Sequence, residues 1–341
     1  DVYKRQGGGL RVGPVSAGAR PGPACYGLGG SKPTVTDANL ILGRLPDTLA
    51  GGSLRLHIDL ARRALENLAD EAGLGLVEAA WGVVRIANTV MARAIRIVTV
   101  ERGRDPRQYT LYAFGGAGPL HAVEVAMEIG VERVVVPPYP GVFSSLGLLL
   151  SDYRHDYHKS ILGSAGSGET WRRVEGTLGE MVERAYRDLE GEGIGRDKAM
   201  VARFVELRYK GQSLSLRVPY NGDPEEAVGM FEDLYRARYG FTMPGEEVEV
   251  SLARVVAWGV VEKPRLPQSR ATRGKPRAIG SRRVYMDGGW VDALLYKVED
   301  LHPGHRAPGP GLVLMPDSTL LVPPGYGFTM LEDRSIVVEA W

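Results

Sequence analysis

The chain has 341 residues, 44% apolar and 24% charged, and its 42 Lys and Arg stand against 41 Asp and Glu for a formal net charge of +1. Such a composition excludes a disordered or collagen-like chain, and the charge is too even for a polyanion-binding protein, so nucleic acid is not an expected partner. The single cysteine, Cys25, excludes an internal disulfide and a multi-cysteine metal site and points to a reducing, cytoplasmic setting.

The length allows two or three domains. No uninterrupted apolar run reaches the roughly 18 residues of a membrane span, because prolines, glycines and charges interrupt the most apolar stretch, 131–150. No membrane association is expected. The first residues, DVYKRQGGGL, carry neither an initiator Met nor a signal-type leader.

Residues 7–50 are rich in Gly and Pro, and no period lasts more than one turn until TVTDANLILGRL. They read either as a surface loop or as a loop whose backbone closely approaches a ligand. Two amphipathic helices follow. Leu56, Leu60, Ala64, Leu65, Leu68 and Ala72 recur at helical spacing, as do Val83, Ala87, Val90, Met91, Ala94 and Val98, with Gly73 and Gly75 between them. Arg85, Arg93 and Arg96 lie off the second apolar stripe, as a solvated face would.

The period then switches. TLYAF (110–114) reads as a buried strand, GGAG (115–118) as a tight turn, PLHAVEVAMEIG (119–130) as a helix and RVVVPP (133–138) as a second strand, which makes a unit of α/β type. A boundary is expected near 155–160, where an apolar segment turns polar. Beyond it a charged amphipathic helix precedes mixed strands and helices. A basic run at 270–283 reads as an exposed loop, and short strands with turn signals complete the chain.

The sharpest local feature is FGGAGPLHA (114–122). Glycines between a strand and a helix let backbone N–H groups converge at a helix N-terminus, which suits a phosphate. A plain strand-to-helix turn explains the same residues. No Gly-Lys-Ser/Thr follows, and His121 stands where a dinucleotide fingerprint needs its third glycine, so neither a Walker loop nor a Rossmann oxidoreductase fits. His121, in the first helical turn, can bond a phosphate, a carbonyl or a metal, or simply pack. Asp37 reads as a helix N-cap or as a carboxylate at a phosphate or Mg²⁺ site. The pairs His155/His158 and His302/His305 have i, i+3 spacing but no supporting metal pattern, and Cys25 lacks the surroundings of a nucleophile.

Three segments, SAGARPGPACYGLGGSKPTVTDANLILGRL (16–45), TVERGRDPRQYTLYAFGGAGPLHA (99–122) and VVVPPYPGVFSSLGLLLSDYRHDY (134–157), resemble the second half of the hydantoinase A / 5-oxoprolinase family. LRYKGQSLSLRVPY (207–220), YRARYGFTMPGEEVEV (235–250) and GPGLVLMPDSTLLVPPGYG (309–327) resemble that family's C-terminal domain. The family includes N-methylhydantoinase and the ATP-binding subunits of acetone-carboxylase-type enzymes.

The resemblance implies an α/β fold. A partial actin-like or sugar-kinase-like ATPase lobe, ribonuclease H-like, would be followed by a smaller mixed α+β C-terminal domain. The implied division is residues 1–6 as a non-native scar, 7–157 as the C-terminal part of the ATPase domain, 158–200 as linker and helix, and 201–341 as the C-terminal domain. It further implies ATP and Mg²⁺ as cofactors, a small cyclic amide or ketone as substrate, a hydantoinase B-type subunit or fused domain as partner, and self-association. Gly115, Gly116, Ala117 and Gly118 match the loop expected to face the nucleotide, and Asp37 and His121 match positions near the reacting groups.

The implied activity is phosphorylation of an amide carbonyl before ring opening. An ATP-dependent carboxylase subunit and a non-catalytic scaffold are the alternatives. The family's DxGGTSxD phosphate loop is missing from this chain, which is therefore expected to be a fragment, inactive on its own and unable to bind ATP tightly. Met315-Pro316 departs from the family's more polar pattern there and puts a polar role for that turn in doubt.

Overall fold

The computed structural model describes residues 2–4, 9–264, 271–272 and 274–341. Among them are seven α-helices: α1 (Val35–Ile41), α2 (Ile58–Ala72), α3 (Leu76–Val98), α4 (Gly118–Ile129), α5 (Phe143–Leu149), α6 (Gly168–Gly191) and α7 (Pro224–Tyr239). The chain divides into two compact units, one formed by 1–146 with 265–341 and the other by 147–264.

In the first unit the expected amphipathic pair is α2 and α3. Gly73, in the left-handed region at φ 69°, ends α2, and Gly75 opens α3. The expected strand, turn, helix, strand unit also forms, but its first strand is shorter than 110–114 and not buried: Leu111–Tyr112 pairs in parallel with Val134–Val136, Tyr112 and Phe114 are exposed, and α4 makes the crossover. These two strands sit at one side of a five-stranded mixed sheet that continues through Ile336–Ala340, Tyr326–Met330 and Arg306–Pro308. A second sheet of four strands runs Gly280–Met286, Gly289–Lys297, Gly311–Leu314 and Thr319–Val322, its two middle strands parallel. Two apolar clusters fill this unit. One packs α1, α2 and α3 against the four-stranded sheet, and the other packs α4 against the five-stranded sheet.

The second unit is a four-stranded antiparallel sheet in the order Tyr153–Ser164, Val248–Gly259, Ala199–Tyr209 and Leu216–Pro219, with α6 and α7. Alternation along Ala199–Tyr209 turns Val205, Leu207 and Tyr209 into a core shared with Val174, Leu178 and Leu189 of α6 and Phe231 of α7.

The packing departs from the sequence-level division at three places. Residues 201–341 do not stay together, because Ile336–Ala340 pairs with Val134–Val136 and draws the later strands into the first unit. Val2–Lys4, within the segment read as a non-native scar, pairs with Leu10–Val12, and Val2 is buried among the residues of α1 and α2. Residues 1, 5 and 6 of that segment lie outside the described residues, as do Arg270 and Arg273 of the basic run. The later part of the run is no free loop: Arg282 donates to Leu45 O and, at 2.8 Å, to Asp47 Oδ1, while Arg283 lies over the Trp290 ring. None of the helices among the described residues is long and apolar enough to cross a membrane.

Candidate functional site

A cleft of about 1180 Å³ opens in the first unit. Its walls come from α1 (Val35, Thr36, Asn39), the 48–52 loop, the glycine turn (Gly116, Ala117), the first turn of α4 (Leu120, His121) and the turn 314–319. Lys297, Glu299 and Asp300 add charge to the rim.

The 315–318 turn fastens the loops around it. Met315 N donates to Ser318 O at 3.0 Å and closes the turn; Pro316 O accepts from Gly51 N at 2.7 Å. Asp317 Oδ2 accepts from Gly141 N at 2.8 Å, and Ser318 Oγ donates to Gly116 O at 3.0 Å. The polar work doubted from Met315-Pro316 thus falls to the next two side chains and to the Pro316 carbonyl.

Gly115 takes φ +86°, open to glycine at little cost, and its N–H donates to Pro140 O at 2.6 Å. Gly116 and Gly118 differ: a Cβ would meet only Asp317 O at 3.5 Å and Ala113 C at 3.8 Å, which are ordinary contacts. The packing of the protein itself does not require glycine at either position. Ala117, the N-cap of α4, makes no side-chain cap, Pro119 occupies the first turn, and no acidic residue stands there. Pro119 carries no N–H and Leu120 N donates to Ala117 O at 3.2 Å, so the first turn of α4 leaves the Gly118 N–H and the positive dipole end without an acidic counter-group on the helix.

Behind His121 runs a chain of buried polar groups. Arg44, with no exposed side-chain surface, donates through Nη1 and Nη2 to the Glu124 carboxylate at 2.9 and 2.8 Å. Its Nε donates to Tyr285 O at 3.1 Å, and its guanidinium lies over the Trp81 ring. Asn88 Nδ2 donates to Glu124 Oε2 at 2.8 Å, and Asn88 Oδ1 lies 2.8 Å from His121 Nδ1. His121 Nε2 in turn lies 3.2 Å from Asn39 Nδ2, which also donates to Val35 O at 3.0 Å. Burial pushes the His121 imidazole down to about 4, the Glu124 charge opposing and the Arg44 charge assisting, so the ring is neutral at pH 7. With both ring nitrogens engaged, His121 orients its neighbours and has no lone pair free for a proton.

Asp37 is elsewhere. Its carboxylate is fully buried and accepts from Cys25 N at 2.7 Å, Ala24 N at 3.3 Å, Thr34 N at 3.0 Å and Thr34 Oγ1 at 2.7 Å. Thr34 is the N-cap of α1, and Asp37, the third residue of the helix, is its reciprocal partner in a capping box. It stitches the Gly/Pro-rich loop to α1 and does not line the cleft. The same carboxylate, after burial itself, raises the Cys25 thiol, which is an inert core group.

Of the residues singled out from sequence, the structure brings Gly116, Ala117 and His121 together on the cleft and sets Gly115 and Gly118 beside them. Sequence reasoning missed Asn39, Asn88, Glu124 and Arg44. The available signal was polarity on apolar stripes: Asn39 lies within ANLIL, and Asn88 follows Ala87 on α3. No group of three or more His, Cys, Asp or Glu among the described residues is placed to hold a metal ion. His155 pairs instead with Glu192 at 2.9 Å, and His302 N donates to His305 Nδ1 at 3.2 Å.

Comparison with known proteins places this architecture. The family model for hydantoinase/oxoprolinase matches residues 2–157, and that for the hydantoinase/oxoprolinase C-terminal domain matches 165–338. An uncharacterised protein of Methanocaldococcus jannaschii is 44% identical over 94% of this chain and 46% of its own length. The caprolactamase subunit alpha of Pseudomonas jessenii is 32% identical over 93% of this chain and 48% of its own. The crystal structure of the ATP-dependent caprolactamase from that organism aligns with a TM-score of 0.75 at 29% identity, covering 99% of this chain and 51% of the other. A nucleotide-free acetone carboxylase structure shares the fold, with a TM-score of 0.85 at 24% identity over 100% of this chain and 51% of the other. The chain spans about half the length of these relatives.

Proposed function

Since the chain belongs to the hydantoinase/oxoprolinase family, we propose that it forms one part of an ATP-dependent enzyme that activates the carbonyl of a small cyclic amide for ring opening. The observation that carries this reading is the cleft itself. An uncapped helix N-terminus, a glycine turn with spare room and a neutral histidine network converge on one concave wall.

These residues fit a nucleotide phosphate. The backbone N–H groups of Gly116, Ala117 and Gly118 and the dipole end of α4 would hold its oxygens, and Gly116 and Gly118 leave the turn low enough for close approach. ATP would supply the phosphoryl group that makes the ring carbonyl carbon electrophilic; water then adds at that carbon, the C–N bond breaks with the nitrogen leaving as the amine, and the phosphoryl group ends as inorganic phosphate. His121, committed on both nitrogens, positions Asn39 and Asn88 in this reading, and Asp37 holds the loop that carries α1. No group of three or more His, Cys, Asp or Glu able to hold a metal forms among the described residues and Asp317 accepts from Gly141 N, but Glu299 and Asp300 on the same cleft are carboxylates of the kind that would hold Mg²⁺ together with phosphate oxygens. No step is assigned to it here.

In this proposal the first unit is part of an actin-like ATPase lobe. A B-type subunit or fused domain supplies further groups; the designation of the Pseudomonas jessenii relative as a subunit supports such a partner. The chain alone then binds ATP weakly. The test is ring opening of 5-oxoproline, hydantoin and caprolactam, and carboxylation of acetone in the presence of bicarbonate, by the chain with its partner, each with and without ATP. ATP-dependent ring opening is expected. Bicarbonate-dependent carboxylation of a ketone instead would transfer the reading to a carboxylase, and no ATP-dependent turnover of either kind would leave a scaffold. Calorimetry on the isolated chain checks the fragment proposal, which micromolar ATP binding would overturn.

A further inference from the structure

Asn39 Oδ1 is a buried side-chain oxygen that has no hydrogen-bond partner among the described residues. The residue is 1% exposed and stands on the cleft wall. Its orientation follows from charge. Arg44 is always cationic, so the Glu124 oxygens that receive its two bonds belong to a carboxylate and only accept. Asn88 must turn Nδ2 toward Glu124, which leaves Asn88 Oδ1 facing His121 Nδ1. That nitrogen must therefore carry the proton of the ring, and Nε2 offers a bare lone pair. Asn39 must answer with Nδ2, whose other hydrogen goes to Val35 O. A flipped Asn39 would set its oxygen against both the Val35 carbonyl and the Nε2 lone pair. The network thus fixes Oδ1 as an acceptor at the cleft, and a charge on Arg44 sets its polarity.

We propose that Asn39 Oδ1 is the acceptor by which the cleft recognises a planar, uncharged N–H donor group of a ligand. Resting on the function proposed above, that donor is the ring N–H of a cyclic amide; the adenine amine of ATP presents the same chemistry. Water does not reach the oxygen in this structure, so the donor arrives with a side-chain shift in the wall, and the bond it makes is not offset by loss of a hydrating water. A ketone or an N-alkylated amide brings no donor and leaves the acceptor empty, which is the situation in which a polar site discriminates best. Asn39 would then favour cyclic amides over ketones within the same cleft.

The experiment uses the full chain, isotope-labelled at side-chain amides, titrated with two probe pairs: pyrrolidinone against N-methylpyrrolidinone, and ATP against purine riboside triphosphate, which has neither the amine nor a ring N–H. Within one pair, a preference of roughly tenfold for the N–H-bearing member is expected, with movement of the Asn39 amide resonance. The pair that shows it identifies the source of the donor. The Asn39→Leu substitution should abolish that preference by weakening the N–H-bearing member alone. Because the comparison stands on the unaltered protein, a poorly folded variant does not compromise it. Equal affinities within both pairs, or no binding of any probe, overturn the assignment. Turnover does not enter: a preserved N–H preference without ATP-dependent ring opening would sink the enzymatic reading and leave Asn39 in place, and turnover without the preference would do the reverse.

Discussion

Replacing Glu124 by Gln tests whether the buried network carries the fold of the cleft. Glu124 accepts three hydrogen bonds, two from a guanidinium with no exposed side-chain surface. The Gln side chain removes the charge and turns an NH₂ toward donors, so Arg44 loses its counter-ion in a place water does not reach. Breaking one side of such a pair costs about 3–5 kcal/mol. The remaining bond from Arg44 Nε to Tyr285 O and the Trp81 ring beneath the guanidinium place the expected loss near the lower end, about 3 kcal/mol. For a unit of this size that corresponds to a fall in melting temperature of roughly 6–12 °C.

Urea denaturation followed by circular dichroism measures it. The double substitution Arg44→Met with Glu124→Leu should regain most of the loss, since two apolar groups need no partner. The exposed pair Arg107 and Asp105 is the control, and its removal should leave stability unchanged within error. A loss below about 1 kcal/mol for Glu124→Gln, or a double variant no better than the single one, would refute the reasoning.

Two further predictions concern titration and backbone. His121 in the folded state sits near 4, below the ordinary histidine value, so the unfolded chain binds more protons between roughly pH 6.5 and 4. Stability should therefore fall as pH drops through that window, by up to about 3 kcal/mol, and then level. A His121→Gln variant should lack this component of the slope, and an imidazole resonance titrating near its ordinary value would contradict it. Gly43 ends α1 at φ +71°, where a Cβ would lie 2.3 Å from Arg283 O, whereas Gly73 at φ +69° has nothing within 4 Å. Both Ala substitutions should cost about 1–2 kcal/mol for the left-handed conformation, and Gly43→Ala measurably more; equal losses by denaturant unfolding would show that the Arg283 strand yields freely.

Local order was legible in the sequence because its causes are local. The apolar spacing of 56–72 and 83–98 dictates two helices whatever lies around them, and the strand, glycine turn and helix of 110–130 follow from period and turn chemistry alone. Pairing of Ile336–Ala340 with Val134–Val136 leaves no comparable trace, since any apolar strand satisfies the edge of another. That is why 201–341 read as one piece. The candidate site divides in the same way. His121 and the glycine turn stand out by position, but the roles of Asn39, Asn88 and Arg44 exist only once α1, α3 and α4 meet. Asp37 reads two ways in the sequence, as a cap or as a site carboxylate, for a related reason: the four donors that close on it come together only in the fold.

The strand register also bears on the order in which this chain can fold during synthesis. Val134–Val136 leaves the ribosome about 200 residues before Ile336–Val338, the neighbour it needs. In that interval its edge is unpaired, while residues 147–264 already hold every strand of their own sheet. The second unit can therefore complete itself first, and the sheet behind the glycine turn must wait with an open edge. Shielding that edge is a task for a chaperone or for the nascent chain itself, and slowing translation between the two units would lengthen the exposure.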